Sequence, residues 1–160
     1  KPDRRQRQMC IRDRGAADES SALNRMQASD GNSLLPAASQ VADYAKGAWA
    51  QSADESVPIQ VQRLDTFCEA QKIQSIDLLK VDTQGYEEAV LTGCGDYLSP
   101  EKIKCVCLEV LFVPLYENQS CWSSVFDQLR SRGYQLFDLY EKNRKDQKYL
   151  AWCDALFVAP

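Results

Sequence analysis

The sequence predicts an α/β fold with a mostly parallel sheet and one antiparallel strand near the C-terminus. Residues 76–82 and 103–112 are short, nearly continuous apolar runs, the pattern of parallel strands that are buried on both faces. Helical patterns lie between successive strands, which is typical of βαβ units. The last two strands, 134–140 and 152–158, are separated by polar residues without a helical period, so we expect them to pair as an antiparallel hairpin.

The first 14 residues are predicted to be disordered. They carry six basic and two acidic side chains and show no amphipathic period. The string QRQMCIRDR resembles translated sequencing-adapter read-through, which favours a non-native segment over the alternative of a natural basic arm. Residues 15–160 are then expected to belong to one domain.

The segment before residue 57 carries weaker signals. Residues 36–49 are predicted to form a helix, and residues 51–56 a loop. Apolar and small side chains recur in that helix at spacings of three and four, namely Val41, Tyr44, Ala45 and Ala48. A first strand is predicted from Ile59, Val61 and Leu64.

Three further helices are predicted from caps and spacing. Thr66 and Glu69 have the spacing of a capping box, which predicts a helix ending near residue 72. A second helix is predicted over residues 86–92, with a glycine as its stop. The third is predicted from an apolar stripe of Trp122, Val125, Phe126 and Leu129 and ends at Gly133.

Composition excludes several classes of protein. The chain has 160 residues, 44% hydrophobic and 26% charged, as in ordinary globular domains. The net charge is −4, and because the first 14 residues contribute +4, the remainder carries −8. An acidic body argues against nucleic acid or an anionic membrane as partner. No apolar run approaches the ~20 residues that a membrane span requires.

Histidine and cysteine usage narrows the chemistry. The absence of histidine excludes Ser-His and Cys-His nucleophiles and any Cys/His zinc site. The seven cysteines include no CxxC pair, which predicts reduced thiols in a cytoplasmic protein and no metal site.

Two carboxylates stand near the carboxyl ends of predicted strands, where open α/β sheets bind their ligands. Asp82 ends the run 76–82, and Glu109 lies late in the run 103–112. Each has a structural alternative, because Asp82 could cap the following helix and Glu109 could pair with a lysine such as Lys80. If the strands are neighbours, both carboxylates line one crevice.

The stretch LDTFCEAQKIQSIDLLKVDTQGYEEAVLTG, residues 64–93, resembles the central signature of the FkbM-type S-adenosylmethionine-dependent methyltransferases. Glu109 in CLEV matches the acid that this family places on its next strand, and GYQLFDLY and DALFVAP resemble its last strands. The resemblance implies an incomplete Rossmann-like class I methyltransferase sheet. The family's glycine-rich cofactor loop and ribose-binding acid lie upstream of the matching part, so residues 15–160 would be the C-terminal part of one methyltransferase domain.

The resemblance also implies roles for individual residues. Asp82 would be the catalytic base or bind the cofactor S-adenosylmethionine, and Glu109 would be the second catalytic carboxylate. Gln84, Gly85, Tyr86 and Glu87 would contact the acceptor, a small-molecule or glycan hydroxyl. Many family members have an acid at the position of Gln84. Without the cofactor loop this chain is expected to be inactive, and the alternatives are a non-catalytic α/β binding domain or another nucleotide-binding Rossmann-like domain.

Overall fold

The computed structural model describes residues 12–28, 31–45 and 52–160 and contains two sheets and four α-helices in that part of the chain. The elements in chain order are β1 (Arg12–Arg14), β2 (Glu19–Met26), α1 (Val41–Tyr44), β3 (Ser52–Gln62), α2 (Leu64–Gln71), β4 (Ile76–Val81), α3 (Glu87–Thr92), β5 (Ile103–Leu111), α4 (Trp122–Ser131), β6 (Gln135–Lys145) and β7 (Tyr149–Val158). None of these helices is long and apolar enough to cross a membrane.

The larger sheet has the strand order β4-β5-β7-β6. Strands β4 and β5 are parallel, and β7 is antiparallel to both β5 and β6. Three strands therefore run in one direction and β7 runs against them, which confirms the α/β class, the reversed strand near the C-terminus and the β6–β7 hairpin. The sheet is mixed, because only the β4–β5 contact joins parallel neighbours.

Strand β4 differs from its prediction in one respect. It is parallel to β5, but it lies at the edge of the described sheet, and its two faces are only partly buried. Leu78 on this strand is 57% exposed, and Val81 is buried. The continuous apolar run therefore predicted the strand correctly and its complete burial wrongly.

A second sheet, with the order β1-β3-β2, precedes the main one. Strand β3 begins at Ser52, so the prediction of a loop over 51–56 was wrong for residues 52–56, and Leu64 belongs to α2 instead of the strand. Exposed and half-buried residues alternate from Ser56 to Gln60. A strand with one face in water carries polar residues on that face, so it lacks the apolar signature of a buried strand.

The predicted disorder of residues 1–14 needs correction at its end. Residues 12–14 form β1, which pairs with β3 in parallel. The Arg14 guanidinium lies 4.2 Å from the centre of the Phe67 ring, a cation–π contact that fixes this strand on α2. For residues 1–11, which lie outside the described part, disorder stays a prediction.

The helices confirm some boundaries and correct others. Helix α1 has only four residues, so the predicted helix over 36–49 was too long at its start; residues 46–51 lie outside the described part. Helix α2 begins at Leu64 with Arg63 as N-cap, and no side chain caps it. The capping-box prediction was therefore wrong, because the Thr66 N–H is bound by the neighbouring Asp65 carboxylate at 2.6 Å. Helices α3 and α4 lie where they were predicted, except that Tyr86 is the N-cap of α3 instead of its first residue.

The main core lies between one face of the larger sheet and helices α2, α3 and α4. The Phe126 ring of α4 meets the Phe157 ring of β7 edge to face at 5.0 Å. Val106 and Leu108 of β5 point into this core. Because side chains alternate along a strand, Glu109 points to the opposite face, away from these helices.

Glycine is required where the N-terminal segment crosses helix α3. A Cβ at Gly93 would overlap the carbonyl oxygen of Gly15, which lies between β1 and β2. The carbonyl of Gly93 also accepts the Asp65 N–H at 3.1 Å. The end of helix α3 therefore contacts both the segment between β1 and β2 and the start of α2 through the backbone.

We expect Gly93→Ala to destabilise the protein, because the added methyl group must displace the backbone at Gly15. Overpacking of this kind costs about 1–3 kcal/mol, which corresponds to a Tm lower by several degrees. Asp96→Ala, an exposed position in the next turn, is the control and should change the free energy of unfolding by less than about 0.5 kcal/mol. Equal melting temperatures for the two variants would contradict the close contact.

The six cysteines in the described part of the chain are free. Burial raises the pKa of Cys94 to about 12, whereas hydrogen bonds from Ser123 lower the pKa of the exposed Cys121. A thiol reagent should therefore modify Cys121 in the native protein long before Cys94, and Cys121→Ser should remove that fast phase.

Titration after denaturation, without reductant, should count all seven thiols; five or fewer would contradict the prediction of reduced cysteines.

Candidate active site

The two predicted carboxylates lie side by side at the carboxyl end of the parallel pair. Val81 of β4 pairs with Leu108 of β5, and Asp82 and Glu109 are the residues that follow them. A single side chain, Gln84, contacts both. Its Nε2 donates to Asp82 Oδ1 at 3.0 Å and to Glu109 Oε2 at 2.6 Å. The structure thus brings three predicted site residues into one hydrogen-bonded group.

Gln84 is held in place from several directions. Its backbone is left-handed, with φ of 53°, and its side chain is almost fully buried. The Tyr116 hydroxyl lies 3.0 Å from its Oε1 and 2.8 Å from the Gly31 carbonyl, so two acceptors share its one hydrogen. The Ser33 hydroxyl donates to the main-chain carbonyl of Gln84 at 2.7 Å. Tyr116 and Ser33 were not found from the sequence, because they lie 32 and 51 residues away and no local pattern marks such contacts.

Glu109 has an unusual electrostatic environment. Burial raises its pKa to about 8, and the negative charges of Asp82, Glu87 and Asp154 add to this effect, while Lys80 opposes it. At neutral pH the carboxyl group of Glu109 therefore keeps its proton in most molecules.

The burial of Glu109 has a visible cause. A small cavity of ≈ 10 Å³ beside it is lined mainly by apolar residues, namely Ala45, Leu111, Leu115 and Trp152. Those residues belong to a second hydrophobic cluster that packs over this end of the sheet. The cavity is no larger than a single water needs.

Lys80 does not form the ion pair with Glu109 that was the structural alternative for that carboxyl group. Its ammonium group lies 2.8 Å from Asp154 Oδ1 and 3.8 Å from Asp82 Oδ2. The hydrogen bond to Glu109 comes from Gln84 instead. The structural alternative of a Lys80–Glu109 pair is therefore wrong, and Lys80 is the cation next to the Asp82 carboxylate.

Asp82 does not cap the following helix. Tyr86 occupies the N-cap position of α3, and no side chain makes a cap hydrogen bond there. The side chain of Asp82 is 47% exposed, so one face of the carboxylate is open to solvent. Among the bridged pair, Asp82 is therefore the accessible group and Glu109 the buried one.

Glu87 lies in the first turn of α3, as predicted, but it is 2% exposed. Its Oε1 accepts the N–H groups of Thr83 and Gly85, each at 3.1 Å, and the Thr83 hydroxyl at 3.2 Å. Burial raises the pKa of Glu87, and these hydrogen bonds act in the opposite direction. The carboxylate thus holds the turn between β4 and α3.

Of the residues predicted to contact an acceptor, Gly85 and Tyr86 line an open groove of ≈ 290 Å³. Glu88, Asn118 and Ser120 line it as well. Ser120 also holds the Gly85 side of the groove in place, because its N–H and hydroxyl both donate to the Gly85 carbonyl. The predicted acceptor contacts of Gly85 and Tyr86 stay a prediction.

Within the described ranges, no group of three or more Cys, Asp or Glu side chains could hold a metal ion. The carboxylate pair is suited to ligands other than a metal ion. An exposed Asp82 at the carboxyl edge of the sheet is suited to a cationic ligand group or to a proton from a hydroxyl.

Comparisons with family models and with curated proteins gave matches for this chain. The family model described as the methyltransferase FkbM domain matches residues 4–136, more than half of the chain. The chain is also 32% identical over 78 residues to the 2-O-methyltransferase NoeI of Sinorhizobium fredii, an alignment that covers 49% of this chain and 31% of that protein. No solved structure matches the chain.

The raised pKa of Glu109 predicts a pH-dependent difference in stability between the wild-type protein and Glu109→Gln. As pH rises from 4.5 to about 8, the unfolded chain ionises Glu109 while the folded protein keeps it protonated. The wild-type protein therefore loses stability across this window, and the variant lacks that loss. A pKa that is one pH unit higher in the folded than in the unfolded protein corresponds to about 1.4 kcal/mol of stability. The Tm of the variant, relative to the Tm of the wild type, should therefore be several degrees higher at pH 8 than at pH 5. Parallel curves of Tm against pH would contradict the buried, protonated Glu109.

Proposed function

The chain belongs to the FkbM methyltransferase family, and we propose that its reaction transfers a methyl group from S-adenosylmethionine to a hydroxyl of a small molecule or a glycan. The observation that carries this proposal is the exposed Asp82 carboxylate, bridged by Gln84 to a buried Glu109. The name of the relative NoeI, a 2-O-methyltransferase, supports a hydroxyl acceptor.

The two carboxyls divide the acid–base work in this proposal. An acceptor hydroxyl must lose its proton as its oxygen gains the methyl group, and a nearby carboxylate accepts that proton. Asp82 is the proposed base, because one face of it is exposed and the Lys80 ammonium group lies 3.8 Å from its carboxylate. Glu109 forms the second wall of the site and, while protonated, adds no negative charge that would compete with Asp82.

S-adenosylmethionine would supply the methyl group from a positively charged sulfur. Asp82 is the residue of this chain that would lie nearest such a cation, because it directly follows β4 at the carboxyl edge of the sheet. The same carboxylate therefore serves two proposed purposes, to attract the cofactor and to accept the proton. Orientation of acceptor and methyl group in line supplies the remaining rate enhancement.

We further propose that the larger sheet belongs to a Rossmann-like sheet. Three strands that run in one direction, with the reversed β7 between β5 and β6, support this proposal. The unpaired side of β4 in the described residues, with Leu78 exposed, would accept a further parallel strand. Free cysteines in the described part favour a reducing compartment, and we propose the cytoplasm.

The 160 residues by themselves should bind S-adenosylmethionine weakly, because the sequence has no glycine-rich loop that follows a strand. Each missing charge-assisted hydrogen bond costs about 1.5–3 kcal/mol. Calorimetry should therefore give a Kd above about 1 mM. A family member that carries the loop is the positive control. Micromolar binding by this chain would contradict the expectation.

Asp82→Asn should reduce turnover at least about tenfold, because the amide cannot accept the proton. The measurement is transfer of a tritiated methyl group to a panel of methyl glycosides, in a protein that contains these residues and shows transfer. Asp77→Asn is the matched control: Asp77 lies on the same strand and forms an exposed ion pair with Lys104. Full activity of Asp82→Asn would remove Asp82 from the mechanism.

A further inference from the structure

We propose that Gln84 is the positioning residue of the Asp82–Glu109 pair: its neutral amide fixes both carboxyls and lets them hold one proton between them. The sequence resemblance had placed Gln84 in contact with the acceptor. The structure instead engages its amide with protein groups on every side. Its role in catalysis rests on the proposed function, whereas its effect on Glu109 can be measured without turnover.

The geometry uses the whole amide group. A glutamine side chain has two N–H hydrogens, and Gln84 directs one at each carboxyl, at 3.0 Å for Asp82 and 2.6 Å for Glu109. With one proton on the pair, the reversed amide would still place its oxygen against one unprotonated carboxylate, which repels it. Oε1 faces the Tyr116 hydroxyl at 3.0 Å, whose hydrogen it shares with the Gly31 carbonyl at 2.8 Å, so the two carboxyls decide the amide orientation.

The surroundings prevent the amide from turning away. The Gln84 side chain is 5% exposed, and the Ser33 hydroxyl holds its carbonyl at 2.7 Å. Its left-handed backbone, with φ of 53°, directs the side chain back over the end of β4. The neighbouring Gly85 also has positive φ, at 94°. A side chain fixed at both its main chain and its tip can position two partners at once.

A neutral amide matters because the site is already rich in negative charge. Asp82, Glu87 and Asp154 all oppose ionisation of Glu109, and Lys80 is the cation that favours it. A glutamate at position 84 would add a further carboxylate to this group. Glutamine instead donates an N–H to each carboxyl, which favours the ionised forms without adding charge. The amide also cannot take up the proton itself, so the proton stays between Asp82 and Glu109.

The test is a titration by NMR of the 160-residue chain, labelled with ¹³C at glutamate carboxyls and with ¹⁵N in glutamine side chains. The signal that disappears in Glu109→Gln identifies Glu109. In the wild-type protein, the Nε2 signal of Gln84 should change with pH at the same midpoint as the Glu109 carboxyl. In Gln84→Met, which has similar length and no N–H groups, the midpoint of Glu109 should rise by about one pH unit, a tenfold change in its ionisation equilibrium.

Gln128→Met is the matched control, because Gln128 lies on α4 and its amide bonds to Thr92 instead of the site. It should leave the Glu109 midpoint unchanged. The proposal is overturned if the Gln84 and Glu109 signals titrate independently in the wild-type protein, or if a folded Gln84→Met keeps the wild-type midpoint. Should Gln84→Met fail to fold, the shared midpoint in the wild-type protein still decides between the two outcomes.

The titration also separates this proposal from the proposed function. A shifted midpoint in Gln84→Met upholds the positioning role whether or not the protein transfers methyl groups, and the methyltransferase mechanism is tested separately by Asp82→Asn in a protein that shows transfer. In a protein that does transfer methyl groups, Gln84→Met should shift the pH profile of kcat in the same direction as the Glu109 midpoint. An unchanged profile beside a shifted midpoint would contradict the catalytic role of Gln84.

Discussion

The turn between β4 and α3 is the constraint on which the site depends. Two successive residues, Gln84 and Gly85, adopt positive φ there, which most residues avoid. The buried Glu87 carboxylate stabilises the turn, because it accepts the backbone N–H groups of Thr83 and Gly85. This turn places the Gln84 amide between Asp82 and Glu109, so a backbone geometry decides how two carboxylates on neighbouring strands meet.

Distant parts of the chain close on the same turn. Ser33 binds the Gln84 carbonyl, Tyr116 binds its amide, and Ser120 binds the Gly85 carbonyl. Tyr116 and Leu115 also belong to the hydrophobic cluster that covers the end of the sheet beside Glu109. The contacts that fix the amide therefore come from the same segments that bury the carboxyl. Removal of the contacts to Gln84, or of the apolar side chains beside Glu109, would therefore change both the position and the protonation of Glu109.

The sequence was sufficient for the parts in which local pattern and burial agree. Strand β5 follows from an apolar run, helix α4 from an apolar stripe, and helix α3 from a short helical pattern that a glycine ends. The adjacency of Asp82 and Glu109 follows from two parallel neighbours. The start of strand β3 was missed because residues 52–56, SADES, are small or polar and show no apolar alternation. The Gln84 bridge could not be predicted, because it joins residues 25 positions apart through a left-handed turn that no spacing rule reports.

The central claim is that one accessible base and one buried, protonated acid share the Gln84 amide. A crystal structure of the chain at neutral pH, at a resolution better than about 1.2 Å, tests it most directly, because hydrogens and unequal carboxyl bond lengths become measurable. The account predicts unequal C–O bonds in Glu109 and Gln84 Nε2 within hydrogen-bond distance of both carboxyl groups. Equal bonds in Glu109, or a Gln84 side chain turned to solvent, would contradict it.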